Sequence, residues 1–142
     1  MIEDNMERYI TGGAQAIKTG DWEAYANLYT EDLLMVAPGM SGPTKGRDVR
    51  VKLAQGLVNA FPDARVEPLR SFGTGDWACI EMLFTGTHSG PMPGPDGTDI
   101  PPTNKPVQFP YCMVVKFEGE QCSEIYEYYD QLGLLAQLGL MS

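Results

Sequence analysis

Residues 125–140 read IYEYYDQLGLLAQLGL. The first six have the character of a strand that runs out to Asp130, and the rest that of a short amphipathic helix. Alternation along the strand puts Tyr126, Tyr128 and Asp130 on one face and Ile125, Glu127 and Tyr129 on the other. Phenol, phenol and carboxylate in line would place a proton acceptor beside hydrogen-bond donors in one cavity. A second role for Asp130 is to cap the C-terminal helix, since Asp is a favoured N-cap. The motif accommodates both roles.

Upstream, the same period of two recurs at 65–72, 77–87 and 107–117, the last turning at Glu118-Gly119-Glu120 into a fourth strand, 122–130. Gly73-Thr74-Gly75-Asp76 is the hairpin turn between the first two. Sequential strands joined by tight turns are expected to pair antiparallel. Before residue 62 the apolar period is helical. Met6, Tyr9, Ile10, Gly13, Ala14 and Ile17 mark an amphipathic helix near 3–19, ended by Gly20. Asp21 caps a second, short helix carrying Trp22, Tyr25, Leu28 and Tyr29. Residues 33–37 form a brief strand closed by Pro38-Gly39, and 41–46 a turn or tight hairpin. Val49, Leu53, Leu57 and Phe61 define a third helix that stops at Pro62. Helices first and an antiparallel meander after them make an α+β fold.

Residues 86–106 connect two long strands with 21 residues that hold six of the 11 prolines and four of the 16 glycines. Connections longer than about 12–15 residues are usually lids or binding loops, or are disordered. His88, the one histidine, stands where the preceding strand meets this loop. If Ala78, Ile80, Met82 and Phe84 face inward, His88 does too. A hydrogen-bonded structural histidine and a proton-transfer group both fit that place. Glu81 has the opposite parity, which makes it an exposed or dimer-face carboxylate. Arg47 and Arg50 are candidates for an acidic substrate, although arginines on a helix surface are usually solvated.

Composition narrows the field. A chain of 142 residues, 43% hydrophobic and 20% charged, forms a single domain spanning 1–142 with a sizeable core. A net charge of −9 with scattered basic residues opposes nucleic acid and anionic membrane as partners. No run of about 18 apolar residues is present. The acidic start lacks a signal peptide's basic and apolar regions, so the cytoplasm is the expected location. Three cysteines without a C-x-x-C give no disulfide framework and no zinc site. There is no G-x-S-x-G elbow and no G-x-G-x-x-G, so nucleophilic hydrolysis, flavin and nicotinamide are not indicated. No metal and no cofactor are expected.

Three stretches carry a family resemblance. They are Asp21-Trp22-Glu23-Ala24-Tyr25-Ala26-Asn27-Leu28-Tyr29-Thr30-Glu31-Asp32 with the Gly46-Arg47-Asp48 helix entry, Gly86-Thr87-His88-Ser89-Gly90, and Tyr126-Glu127-Tyr128-Tyr129-Asp130 with Gln137-Leu138-Gly139. In that order the chain resembles the SnoaL-like polyketide (ester) cyclases, within the superfamily of ketosteroid isomerase and nuclear transport factor two. The resemblance implies a cone-shaped barrel, its strongly curved antiparallel sheet wrapped around about three N-terminal helices. It also implies an apolar pocket at the mouth and often a homodimer packed through the sheet. Characterised cyclases of the family use an aspartate near the end of the last strand as acid/base, and Asp130 occupies that motif position. His88 matches the motif histidine as a pocket polar group or proton partner. The loop 91–106 is expected to reshape the mouth.

The chemistry so implied is a cofactor-independent lyase or isomerase acting on a small apolar carbonyl compound. Asp130 would remove an activated proton, and the enolate would close a ring by aldol addition. Tyr126 or Tyr128 would donate to the developing oxyanion. Tyr126, Tyr128, Tyr111, Phe84, Met82 and Trp22 are the expected pocket residues. Burial would lift the carboxyl from its reference of about 4 toward neutrality. Two alternatives stay open. One is a non-catalytic small-molecule-binding or dimerisation module, since one architecture hosts many functions. The other is hydrolysis by carboxylate-activated water.

Overall fold

The computed structural model describes residues 1–94 and 97–141. Helix α1 (Ile2–Thr19) turns Met6, Tyr9 and Ala16 into the core and ends at Gly20, whose φ of 73° lets its N–H return to the Ala16 carbonyl. Asp21 caps α2 (Trp22–Ala26), its side chain accepting from the Ala24 N–H at 3.0 Å. The helix stops short of Leu28 and Tyr29. Tyr29 opens β1 (Tyr29–Val36) instead, because its buried ring packs edge-on to Tyr9 and joins the strand to the sheet. The expected tight hairpin is β2 (Thr44–Lys45), antiparallel to β1.

Helix α3 (Arg47–Ala60) runs to Phe61, which is fully buried. Its expected apolar stripe is only partly core, for Leu53 remains 47% exposed. The long strands follow as β3 (Arg65–Thr74) and β4 (Trp77–Thr87). Two short strands, β5 (Met92–Pro93) and β6 (Asp99–Ile100), pair as a hairpin within the long connection. The final strands are β7 (Pro106–Glu118) and β8 (Gln121–Tyr129), and α4 (Gln131–Gln137) closes the chain.

The main sheet has the order β2-β1-β8-β7-β4-β3. Every adjacent pair is antiparallel except β1 with β8, where the first strand slots in parallel to the last. Register shifts between Pro68 and Arg70, between Tyr29 and Leu34, and between Lys116 and Phe117 bend the strands. The sheet curls around the three N-terminal helices, the α+β architecture expected from the change of period.

Strand β4 shows how parity becomes packing. Ala78, Ile80, Met82, Phe84 and His88 are buried, while the odd-numbered set is only partly covered or exposed. Gly90 lets the chain leave the strand, since a Cβ there would collide with the Asn59 carbonyl oxygen. Ser89 and Gly90 both donate to the Ala60 carbonyl, which pins the loop's start to the end of α3.

Candidate active site

Between α3 and the inner face of the sheet lies a cavity of about 200 Å³. Helix α3 contributes Arg50, Leu53, Ala54 and Leu57, and α1 and α2 contribute Ile17 and Tyr25. Strands β3, β4 and β7 add Val66, Phe84, Phe109 and Tyr111, and β8 adds Glu127 and Tyr129. The lining is mostly apolar, with one charged pair inside it.

That pair is Arg50 and Glu127. Arg50 Nη1 lies 2.8 Å from Glu127 Oε2, and the two side chains are only 12% and 14% exposed. Arg50 Nε also donates to the Tyr29 hydroxyl at 3.1 Å. The Tyr29 hydroxyl is in turn 2.8 Å from that of Tyr9 and 3.5 Å from that of Tyr25. The phenols thus hold one edge of the guanidinium while the carboxylate holds another, a fork geometry that suits arginine and not lysine.

Charge follows from this arrangement. Burial works against the Arg50 cation, but Glu127 and the surrounding tyrosines outweigh it and keep the group protonated. Burial pushes Tyr9 and Tyr29 well above the usual phenol range, with Arg50 pulling the other way. Tyr111 and Tyr129 are raised by burial and by the Glu127 charge. The site is therefore a salt bridge framed by phenols. It offers a carboxylate to accept a proton, a cation to meet an oxyanion, and hydroxyls to donate.

The expected site residues are distributed differently. Tyr111 and Phe84 line the cavity. Met82 is buried beside it in the core, and Trp22 packs edge-on against Tyr25 without reaching the lining. Tyr126, Tyr128 and Asp130 do share a face, but it is the outer one. Tyr128 is 58% exposed, and Tyr126 donates to Glu124 Oε1 at 2.7 Å. Asp130 is exposed and caps α4, accepting from the Gly133 N–H at 2.9 Å. The physical reason is Ile125: this fully buried residue turns its own parity, and with it Glu127 and Tyr129, toward the concave side.

His88 is inward and fully buried, but it lies behind Phe61, at 5.5 Å between ring centroids, and not in the cavity wall. Its Nδ1 lies 3.2 Å from the Thr103 N, which donates to it, and 3.0 Å from the Thr103 hydroxyl. Its backbone ties Asn104 and Lys105. Among the described residues the loop 91–106 contributes nothing to the cavity lining, contrary to the expectation that it shapes the mouth. Glu81 sits on the outer face paired with Arg70 at 2.6 Å.

Arg50 and Glu127 were within reach of sequence reasoning. Arg50 falls on the same stripe as Leu53, Ala54 and Leu57, where a solvated arginine is out of place. Glu127 shares parity with Ile125, the aliphatic residue of its strand.

Comparison with known proteins bears on the family and the fold. The family model for SnoaL-like polyketide cyclase matches residues 8–138. Among solved structures, IdmH from Streptomyces antibioticus, a candidate polyketide cyclase, is 26% identical with a TM-score of 0.77, covering 94% of this chain and 97% of its own. AclR from Streptomyces galilaeus, a candidate hydroxylase, is 20% identical with a TM-score of 0.81, covering 100% and 89%. A candidate SnoaL-like polyketide cyclase from Jannaschia sp. CCS1 is 16% identical with a TM-score of 0.81, covering 98% and 91%. The last two share the fold. No curated protein matches the sequence.

Proposed function

The chain belongs to the SnoaL-like polyketide cyclase family, and on that premise we propose that it is a cofactor-independent lyase or isomerase that cyclises or isomerises a small apolar carbonyl compound, with Glu127 rather than Asp130 as its acid/base. The observation that carries this reading is the Arg50–Glu127 pair inside an otherwise apolar cavity. Glu127 takes a proton from a carbon next to a carbonyl. Arg50 and the Tyr111 hydroxyl stabilise the enolate oxygen that forms. The enolate carbon attacks a second carbonyl of the same molecule, and protonated Glu127 returns its proton to the new alkoxide. Atoms balance without any added reagent. A carbon activated by two flanking carbonyls is the substrate that suits a carboxylate base best. A positioned base contributes roughly 100- to 10,000-fold, and holding the chain folded in a dry pocket supplies further rate.

The test is exchange of α-hydrogens into D2O by a panel of apolar ketones and β-keto esters, followed by proton NMR. Wild-type protein is expected to accelerate exchange, Glu127→Gln to lose at least about 100-fold of it, and Asp130→Asn to keep it. Full exchange by Glu127→Gln would sink the assignment, and its loss in Asp130→Asn alone would return the base to Asp130. A binding module is the second reading, favoured by the fact that Glu127 already has a charge partner at 2.8 Å. It predicts tight retention of a panel compound with no exchange.

A further inference from the structure

On the outer face of the sheet, away from the cavity, Cys79 and Cys112 bring their Sγ atoms to 3.4 Å. We propose that these two thiols form an oxidation site, at which a hydroperoxide closes a reversible disulfide bridge between β4 and β7.

The register explains the approach. Cys79 stands opposite Val114 and Cys112 opposite Glu81, so the cysteines are diagonal neighbours on adjacent antiparallel strands. Diagonal side chains normally start further apart than opposed ones, yet here both thiols have turned toward each other. Closing from 3.4 Å to a bond of about 2.05 Å asks the two thiols to approach by little more than about 1 Å. Both residues are half-buried, which leaves a small oxidant access. Cys122 is different. It is fully buried on the inner face, and its thiol donates to the Glu124 carbonyl.

The step balances. Cys79, as thiolate, attacks the peroxide oxygen, because burial holds the Cys112 thiol protonated; the O–O bond breaks, and the alkoxide or hydroxide released takes up the proton that Cys79 gave up. The sulfenic acid formed is then attacked by the second thiol, the S–S bond forms, and water departs. Two thiols are oxidised by two electrons and one hydroperoxide is reduced. A bridge between diagonal neighbours is strained, and strained bridges are the readily reduced ones, as a reversible site requires. Cys112 also lies between Tyr111, in the cavity wall, and Met113, whose sulfur is 4.0 Å from Arg50 Nη2. The bridge therefore acts on the strand that supports the charged pair.

The experiment treats the reduced full-length protein with stoichiometric hydrogen peroxide and follows it by intact mass, thiol titration and peptide mapping. Expected are a loss of about 2 Da, loss of two of the three thiols, a linked peptide joining Cys79 to Cys112, and complete reversal by dithiothreitol. Cys112→Ser, half-buried on the sheet surface, should instead gain about 16 Da or multiples of it at Cys79, since the sulfenic acid has no thiol to resolve it, and Cys79→Ser should keep its two remaining thiols. Cys122→Ser should bridge like the wild type. Retention of all three thiols, a covalent dimer, or a bridge through Cys122 would overturn the proposal.

Discussion

Arg50 and Glu127 meet at 2.8 Å within the cavity, and each is nearly withdrawn from water. Neither is placed there by its own strand or helix alone. A helix residue and a residue of the last strand become neighbours because β8 is sandwiched between β1 and β7 and α3 crosses the sheet's concave side.

Removing one partner from such a pair strands the other in a poor solvent. Arg50→Met is expected to cost about 3–5 kcal/mol in urea unfolding, and Glu127→Gln to be destabilising as well. The double variant should recover much of the summed loss, because no uncompensated charge remains. Strictly additive losses would show that the pair is not coupled.

Asp130 makes a capping bond and no cavity contact. Asp130→Ala should therefore cost about 1 kcal/mol, the usual value of an N-cap, and leave the affinity for a cavity ligand unchanged. A collapse of ligand binding with intact stability would contradict the placement.

His88 ties Thr103, Asn104 and Lys105 to the end of β4. His88→Ala removes a buried ring and its bond to the Thr103 N–H while the backbone bonds to Asn104 and Lys105 remain possible, and roughly 2–4 kcal/mol of stability should go with it. Hydrogen exchange should quicken at Thr103 and Asn104, whose N–H groups bond to His88, while α-hydrogen exchange by the cavity persists. Loss of that exchange in a folded variant would make His88 part of the chemistry.

Alkaline pH provides a separate check. Burial first, then the bond from Cys79 and the Glu81 charge, raises the Cys112 thiol from 9.0 to about 11, and burial raises Cys122 to about 12. Raised folded values mean that the folded state holds these protons more tightly than the unfolded chain. The resulting stability is complete below pH 9 and is lost as pH rises through about 11 and 12. Urea midpoints under reductant should fall across that window, and the fall should shrink in Cys112→Ser. The rate of Cys112 alkylation should keep climbing to about pH 11. A plateau near pH 9 would contradict the raised value.

The α+β architecture was legible because helices and strands write different periods, and the change falls cleanly after Pro62. The inward turn of His88 was legible for the same reason, five positions of β4 agreeing on one parity. The site was only half legible. Tyr111 and Phe84 stand out in the sequence as large apolar residues on strands, whereas Arg50 reads there as a candidate for an acidic substrate or a solvated charge, with nothing local to pair it with Glu127. Tyr126, Tyr128 and Asp130 share a face, as alternation predicts, but that face is the outer one. The parallel pairing of β1 with β8 left no local mark, since it joins segments about 90 residues apart.

From its sequence alone, then, the main helices and long strands, their order, the family and the membership of each strand face follow, because those depend on neighbours a few residues away. Which face became the cavity, and which carboxylate therefore gained a cation, was decided only in three dimensions. A period of two states that Glu127 and Asp130 lie on opposite sides of β8. It says nothing about which side is concave, and that is set by the bulges that curl the sheet and by the helices it wraps.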